Sequence, residues 1–166
     1  HASIGWDWIS TIRGRNIGIW DDVYLTSTGK VTIQDPFVQV VLPLPDTTSA
    51  TLTPEVIVKN HDAAPVKGIL TGKIGDITFE QPVELAANEE SVAFDPNTFS
   101  QLKVQNPRLW WPKGYGSPYL YDANFTFKVG DKVSDSEDFK VGIRQMTFNE
   151  NNSILSLFIN GRRFIG

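Results

Sequence analysis

An all-β fold, an antiparallel sandwich of about seven to eight short strands, is what this sequence predicts, and three observations predict it. Apolar and polar residues alternate along most of the chain, while apolar residues at helical spacing are almost absent. Turn-forming clusters recur between the alternating runs, as they do where strands reverse direction. Pro36, Pro54, Pro65, Pro82, Pro96, Pro107, Pro112 and Pro118 fall at run edges or in loops, where a missing N–H costs a sheet least.

In chain order, Ile17-Gly18-Ile19-Trp20 and Val23-Tyr24-Leu25 read as strand residues that need a partner. Leu52, Val56 and Val58 then alternate with Thr51, Thr53 and Lys59, until the turn formers of Asn60 to Pro65 break the run. Val66, Leu70 and Ile74 resume it, and Gly75-Asp76 turns the chain again. Ile77 and Phe79, Val83 and Leu85, and Val92 and Phe94 mark three further short strands, with a single helical turn near Asn97 to Leu102. The clearest strand interleaves Tyr119, Tyr121, Ala123, Phe125, Phe127 and Val129 with polar residues, the pattern of one buried face. Gly130-Asp131 closes it, and Phe139, Val141 and Ile143, with Lys140 and Arg144 opposite, form the return strand. Ile154 to Ile159 is a last strand, and Asn160-Gly161 is the strongest two-residue hairpin signal, leading into Arg162 to Ile165. Both ends read as cut from something larger. Residues 1–26 close one domain, 27–150 hold a complete sandwich and 151–166 open a third.

Composition narrows the function. An 18.5 kDa chain should bury roughly 70% of its unfolded surface, enough for a core without disulfide or metal staples. There is no cysteine, which excludes thiol nucleophiles, cysteine-held zinc and iron–sulfur clusters and is compatible with either redox compartment. With 15 Lys+Arg against 19 Asp+Glu and no basic run, neither nucleic acid nor an anionic membrane is expected as partner. No apolar stretch approaches the ~20 residues of a membrane-spanning helix.

Candidate chemistry is sparse. A retaining glycosidase needs two carboxyls about 5 Å apart, and the glutamates here alternate on solvent faces or sit in turns. Asn88-Glu89 and Asn149-Glu150 lie in polar, loop-like runs. His61 has Asp62 beside it, His1 is terminal, and neither has a second ligand at metal spacing. Gly116-Ser117-Pro118 is not a nucleophile elbow, and Gly14 to Gly18 is not a phosphate loop. We expect no catalytic residue, metal or cofactor. Two aromatic segments remain. Trp110, Trp111 and Tyr115 lie in a Pro- and Gly-bounded loop, where they either stack on a sugar ring or anchor the sandwich to a neighbour. Trp6-Asp7-Trp8 pairs a carboxylate with aromatic walls, as a sugar site does, or forms a hydrophobic corner of a missing domain.

These segments carry a family resemblance. Gly5-Trp6-Asp7-Trp8 followed by Arg15 to Leu25 resembles the end of the sugar-binding jelly roll of glycoside hydrolase family 2, which includes β-galactosidases, β-mannosidases, β-glucuronidases and exo-glucosaminidases. Asn106-Pro107-Arg108-Leu109-Trp110-Trp111-Pro112 with Tyr119-Leu120-Tyr121 is similar to the late part of that family's immunoglobulin-like domain. Val141-Gly142-Ile143-Arg144 and Phe158 to Gly166 resemble the passage into its (β/α)8 barrel. The resemblance implies an accessory immunoglobulin-like domain that spaces a sugar-binding domain from a barrel. It puts both catalytic glutamates beyond Gly166, and it matches Asp7, between Trp6 and Trp8, to a residue that contacts sugar hydroxyls. The partners it implies are neighbouring domains of the same chain and, in the intact protein, carbohydrate. Strand-swapped association through the cut ends is a further expectation. Mannosidase-like members continue the Trp-Asp-Trp motif with Gly-Pro where this chain has Ile9-Ser10, a departure that counts against mannosidase specificity and leaves a galactosidase or another β-glycosidase open. A carbohydrate-binding module built on Trp110, Trp111 and Tyr115, or a generic adhesion domain, is the alternative.

Overall fold

The computed structural model describes residue 19 and residues 21–151 and 154–165. Eight strands build a sandwich: β1 (Val31–Val41), β2 (Ser49–Asn60), β3 (Val66–Ile74), β4 (Ile77–Leu85), β5 (Glu89–Ala93), β6 (Lys103–Gln105), β7 (Tyr121–Val129) and β8 (Lys132–Val141). One sheet runs β1-β2-β5, with β6 also pairing β2, and the other runs β4-β3-β7-β8, all antiparallel. A separate three-stranded meander follows, β9 (Met146–Asn151), β10 (Ile154–Ile159) and β11 (Arg162–Phe164).

Alternation decides which side chains meet between the two sheets. Leu52, Val56 and Val58 of β2 face Leu70, Ile74, Phe125 and Phe127 of the other sheet, all essentially buried. Phenylalanines fill the centre. Phe79 meets Phe94 edge-on at 4.6 Å, and Phe125 stacks on Phe139 at 5.7 Å. Such rings leave no room for a side chain at Gly72 of β3. A Cβ at Gly72 would stand 2.1 Å from the Phe79 ring.

The all-β sandwich is as expected, and so are the turns. Gly75 and Gly130 take positive φ at the expected hairpins, and Asn160 and Gly161, at φ 51° and 77°, form the two-residue turn that only such residues adopt without strain. The helical turn is a 3-10 turn at Ser100–Leu102. Other elements differ from expectation. Ile77–Leu85 is one strand rather than two, because β4 is an edge strand and Pro82, opposite Ile69, can turn its N–H-less nitrogen away from the ladder. Pro36 and Pro54 lie inside strands, not at their edges. Pro36 sits in a bulge of β1 beside Asp35, which has φ 49°. Pro54 aims its nitrogen at the gap between β5 and β6, where only its carbonyl is used, by Phe94 N–H at 2.9 Å. β8 starts at Lys132, not near Phe139, since pairing with β7 carries the polar run Lys132–Asp138 into the sheet. Glu89 and Glu150, expected in loops, begin β5 and lie within β9. Val23, Tyr24 and Leu25, expected in a strand, are exposed and belong to no strand among the described residues.

Strand pairing also changes at Ile143–Gln145. Beyond it, Met146 begins the meander, so a boundary drawn after Glu150 would fall inside β9.

Candidate functional site

The aromatic loop between β6 and β7 comes together with the meander at one end of the sandwich. Trp110 N–H donates to Ile143 O at 2.9 Å and Trp111 N–H to Ser117 O at 3.0 Å, so the loop folds back on itself and on the end of β8. Glycines make this fit possible. A Cβ at Gly142 would lie 3.1 Å from Trp110, and one at Gly116 would lie 2.8 Å from the Trp111 ring.

Each of the three aromatic candidates is half-buried. The Arg144 guanidinium lies 4.3 Å from the centre of the Trp110 ring, a cation–π contact that covers one face. Tyr115 sits 5.4 Å from Phe164 of β11, and its hydroxyl accepts the Ile165 N–H at 2.9 Å. Arg162 lies 5.2 Å from the same tyrosine ring. A stacking platform presents open ring faces in a row; here Trp110 and Tyr115 are turned to neighbours within the chain.

Asn160 is the clasp. It is 5% exposed, its Oδ1 accepts Gln145 N–H at 2.9 Å, its Nδ2 donates to Trp110 O at 3.0 Å, and its own N–H donates to Gln145 O at 2.8 Å. One buried amide therefore ties the β10–β11 turn to both the junction and the aromatic loop. Gly161 extends the contact toward Leu44, which a Cβ there would meet at 3.3 Å. The sequence marks Asn160-Gly161 as a turn, but nothing in the pattern signals that Asn160 also holds Trp110 and Gln145. Those partners are 50 and 15 residues away in sequence.

The remaining candidates are placed as follows. Trp6, Asp7, Trp8, Ile9, Ser10 and His1 lie outside the described residues. The His61 ring is 2.9 Å from Thr32 Oγ1, and its neighbour Asp62 pairs with Lys30, which holds that carboxyl below its usual range. Among the described residues no group of three or more His, Asp or Glu could hold a metal ion. Glu150 is exposed opposite Leu155. Glu137 on β8 has its carboxyl pushed above the usual range, first by partial burial and then by Asp135 and Asp138.

Comparison with known proteins completes the picture. The family described as glycosyl hydrolases family 2 matches residues 31–144. An exo-β-D-glucosaminidase of Streptomyces avermitilis is 32% identical over 99% of this chain and 19% of its own length. A mannosylglycoprotein endo-β-mannosidase of Lilium longiflorum is 37% identical over 86% of this chain and 16% of its own. The crystal structure of Amycolatopsis orientalis exo-chitosanase CsxA superposes with a TM-score of 0.72 at 28% identity, over 82% of this chain and 16% of that one. The chain thus spans less than a fifth of the length of these relatives. Glucosaminidases and mannosidases are both among these relatives.

Proposed function

The chain belongs to glycosyl hydrolase family 2, and from that premise we propose that it is the non-catalytic accessory sandwich of a longer retaining β-glycoside hydrolase, bracing a sugar-binding domain against a catalytic barrel. The observation that carries this reading is the clasp. Trp110, Tyr115 and Asn160 hold the sandwich to the meander that follows it, which is what a rigid spacer between domains requires. Residues 1–26 then close the sugar-binding domain, and the chain from Met146 onward leads toward the barrel. The names of the relatives favour a parent acting on β-linked glucosaminides or mannosides. In that parent, Asp7 between Trp6 and Trp8 contacts sugar hydroxyls, and Trp110, Trp111 and Tyr115 anchor rather than stack.

Two experiments test this. Purified residues 1–166 should not hydrolyse aryl β-glucosaminides, β-mannosides or β-galactosides, and turnover that persists in Glu150→Gln overturns the non-catalytic reading. Titration with glucosamine and mannose oligosaccharides should give no saturable binding. Binding that disappears in Trp111→Ala favours a carbohydrate-binding module instead. Bracing itself is read from calorimetry of the full-length enzyme, where sandwich and barrel should melt in one transition.

A further inference from the structure

Among the described residues, an unpaired stretch of the β1 edge borders a cleft. β1 lies at the edge of its sheet, so alternate residues turn their N–H and C=O groups away from β2. At its start these groups are capped by β8. Val31 N–H donates to Ser134 Oγ at 2.9 Å, Ser134 Oγ donates back to Val31 O, and Ile33 N–H donates to Asp135 Oδ2 at 2.8 Å. Just past its end, Leu42 N–H is taken by Gln145 Oε1 at 2.6 Å. Between the caps the pairing phase is set by Pro54, whose carbonyl points away from β1 to Phe94; its partner Val38, and Val40 opposite Leu52, therefore point outward. Their N–H and C=O groups have no partner among the described residues.

A cleft of about 470 Å³ opens at this point, where β1 and the end of β8 diverge. Phe37, Val40, Leu120, Phe139 and Met146 give it apolar walls, Arg144 stands among them, and no carboxylate lines it. Phe37 and Met146 are each 61% exposed. Met146 also belongs to the face of the meander that carries Phe148, Leu155 and Leu157, all exposed, with Glu150 beside Leu155, so the cleft adjoins a largely apolar face.

We propose that the Val38–Val40 edge takes up an extended segment of the same full-length polypeptide, from outside residues 1–166, as an added β-strand. Unpaired N–H and C=O groups at alternate residues call for an extended backbone. The apolar walls call for apolar side chains at every second position, and Arg144 for a carboxylate. The source is the parent chain because more than four fifths of each of the relatives compared lies outside the matched region, and because the cleft runs into the apolar face of the segment leading to that remainder. The inference rests on the accessory-domain reading and adds the contact through which bracing acts.

Amide hydrogen exchange tests it, measured on residues 1–166 and on the full-length enzyme. The Val38 and Val40 amides should exchange freely in the short chain and about 100-fold or more slowly in the full-length protein. Phe37→Asp, a change at an exposed side chain, should leave the melting of the short chain unaltered and abolish that protection. Equal exchange in both proteins overturns the proposal. So does protection that rises with concentration in the short chain, which would make a second copy the occupant, and so does protection insensitive to Phe37→Asp. A full-length enzyme that melts in one transition while both amides stay unprotected removes this inference and leaves bracing intact.

Discussion

Replacing Asn160 isolates the clasp between sandwich and meander. The side chain makes two hydrogen bonds, to Gln145 N–H and Trp110 O, at 2.9 and 3.0 Å. Each contributes about 1 kcal/mol net, and more where the partner stays buried and unpaired. Asn160 also holds φ at 51°, a left-handed conformation costing about 1 kcal/mol more for alanine. Asn160→Ala should therefore weaken closure of the β10–β11 turn by about 3–4 kcal/mol, roughly 100- to 1,000-fold in the opening equilibrium. Asn160→Gly relieves the backbone cost and should recover about 1 kcal/mol of it. Asn160→Asp keeps the acceptor for Gln145 N–H but sets a carboxylate against Trp110 O, and should fall between wild type and alanine. Residue-resolved hydrogen exchange at Gln145, Ile159 and Ile165 is the assay, because the meander can open while the sandwich stays folded. A glycine variant as well protected as wild type would refute the clasp. Equal exchange in the glycine and alanine variants would refute the backbone contribution.

Three further outcomes follow from the same contacts. Gly72→Ala should destabilise the sandwich by ~1–3 kcal/mol or more in urea unfolding, since the added methyl runs into Phe79, itself held by Phe94 at 4.6 Å; an unchanged midpoint would show that the ring moves aside freely. Glu137→Gln should raise the melting temperature at pH 7. The carboxyl titrates above its usual range in the fold, so its charged form is the disfavoured one. The gain should be complete above the folded pKa and vanish below the ordinary glutamate pKa; a gain that grows on acidification contradicts this sign. Tyr115→Phe removes the acceptor for Ile165 N–H and should speed exchange of that amide by up to about tenfold while leaving Phe125 and Phe127 amides unchanged.

The fold class and the turns were legible because they rest on local rules. Period-two alternation from Tyr121 to Val129 admits one structure, a strand with a buried face. Gly75, Gly130 and Asn160-Gly161 occupy left-handed positions that few other residues tolerate. The aromatic loop was also visible as an unusual cluster, though its use was not. Sequence left open whether Trp110 and Tyr115 face a ligand or the protein. In the structure Arg144 lies over one ring and the Ile165 N–H on the other hydroxyl, partners that pattern cannot associate with them.

By itself, then, the sequence determined an antiparallel sandwich, its reversals and its kinship with family 2 glycoside hydrolases. Each of these is carried by short runs of residues. Tertiary structure alone decided that Pro82 lies within an edge strand, that Lys132–Asp138 joins a sheet, and that strand pairing passes from β7 to β10 between Val141 and Met146. It also decided that the outward backbone groups of Val38 and Val40 have no partner among the described residues and lie at the mouth of a cleft. The physical reason is common to all four. Whether a backbone group is paired depends on which distant strand lies beside it and in what phase, and no local window of sequence contains that neighbour.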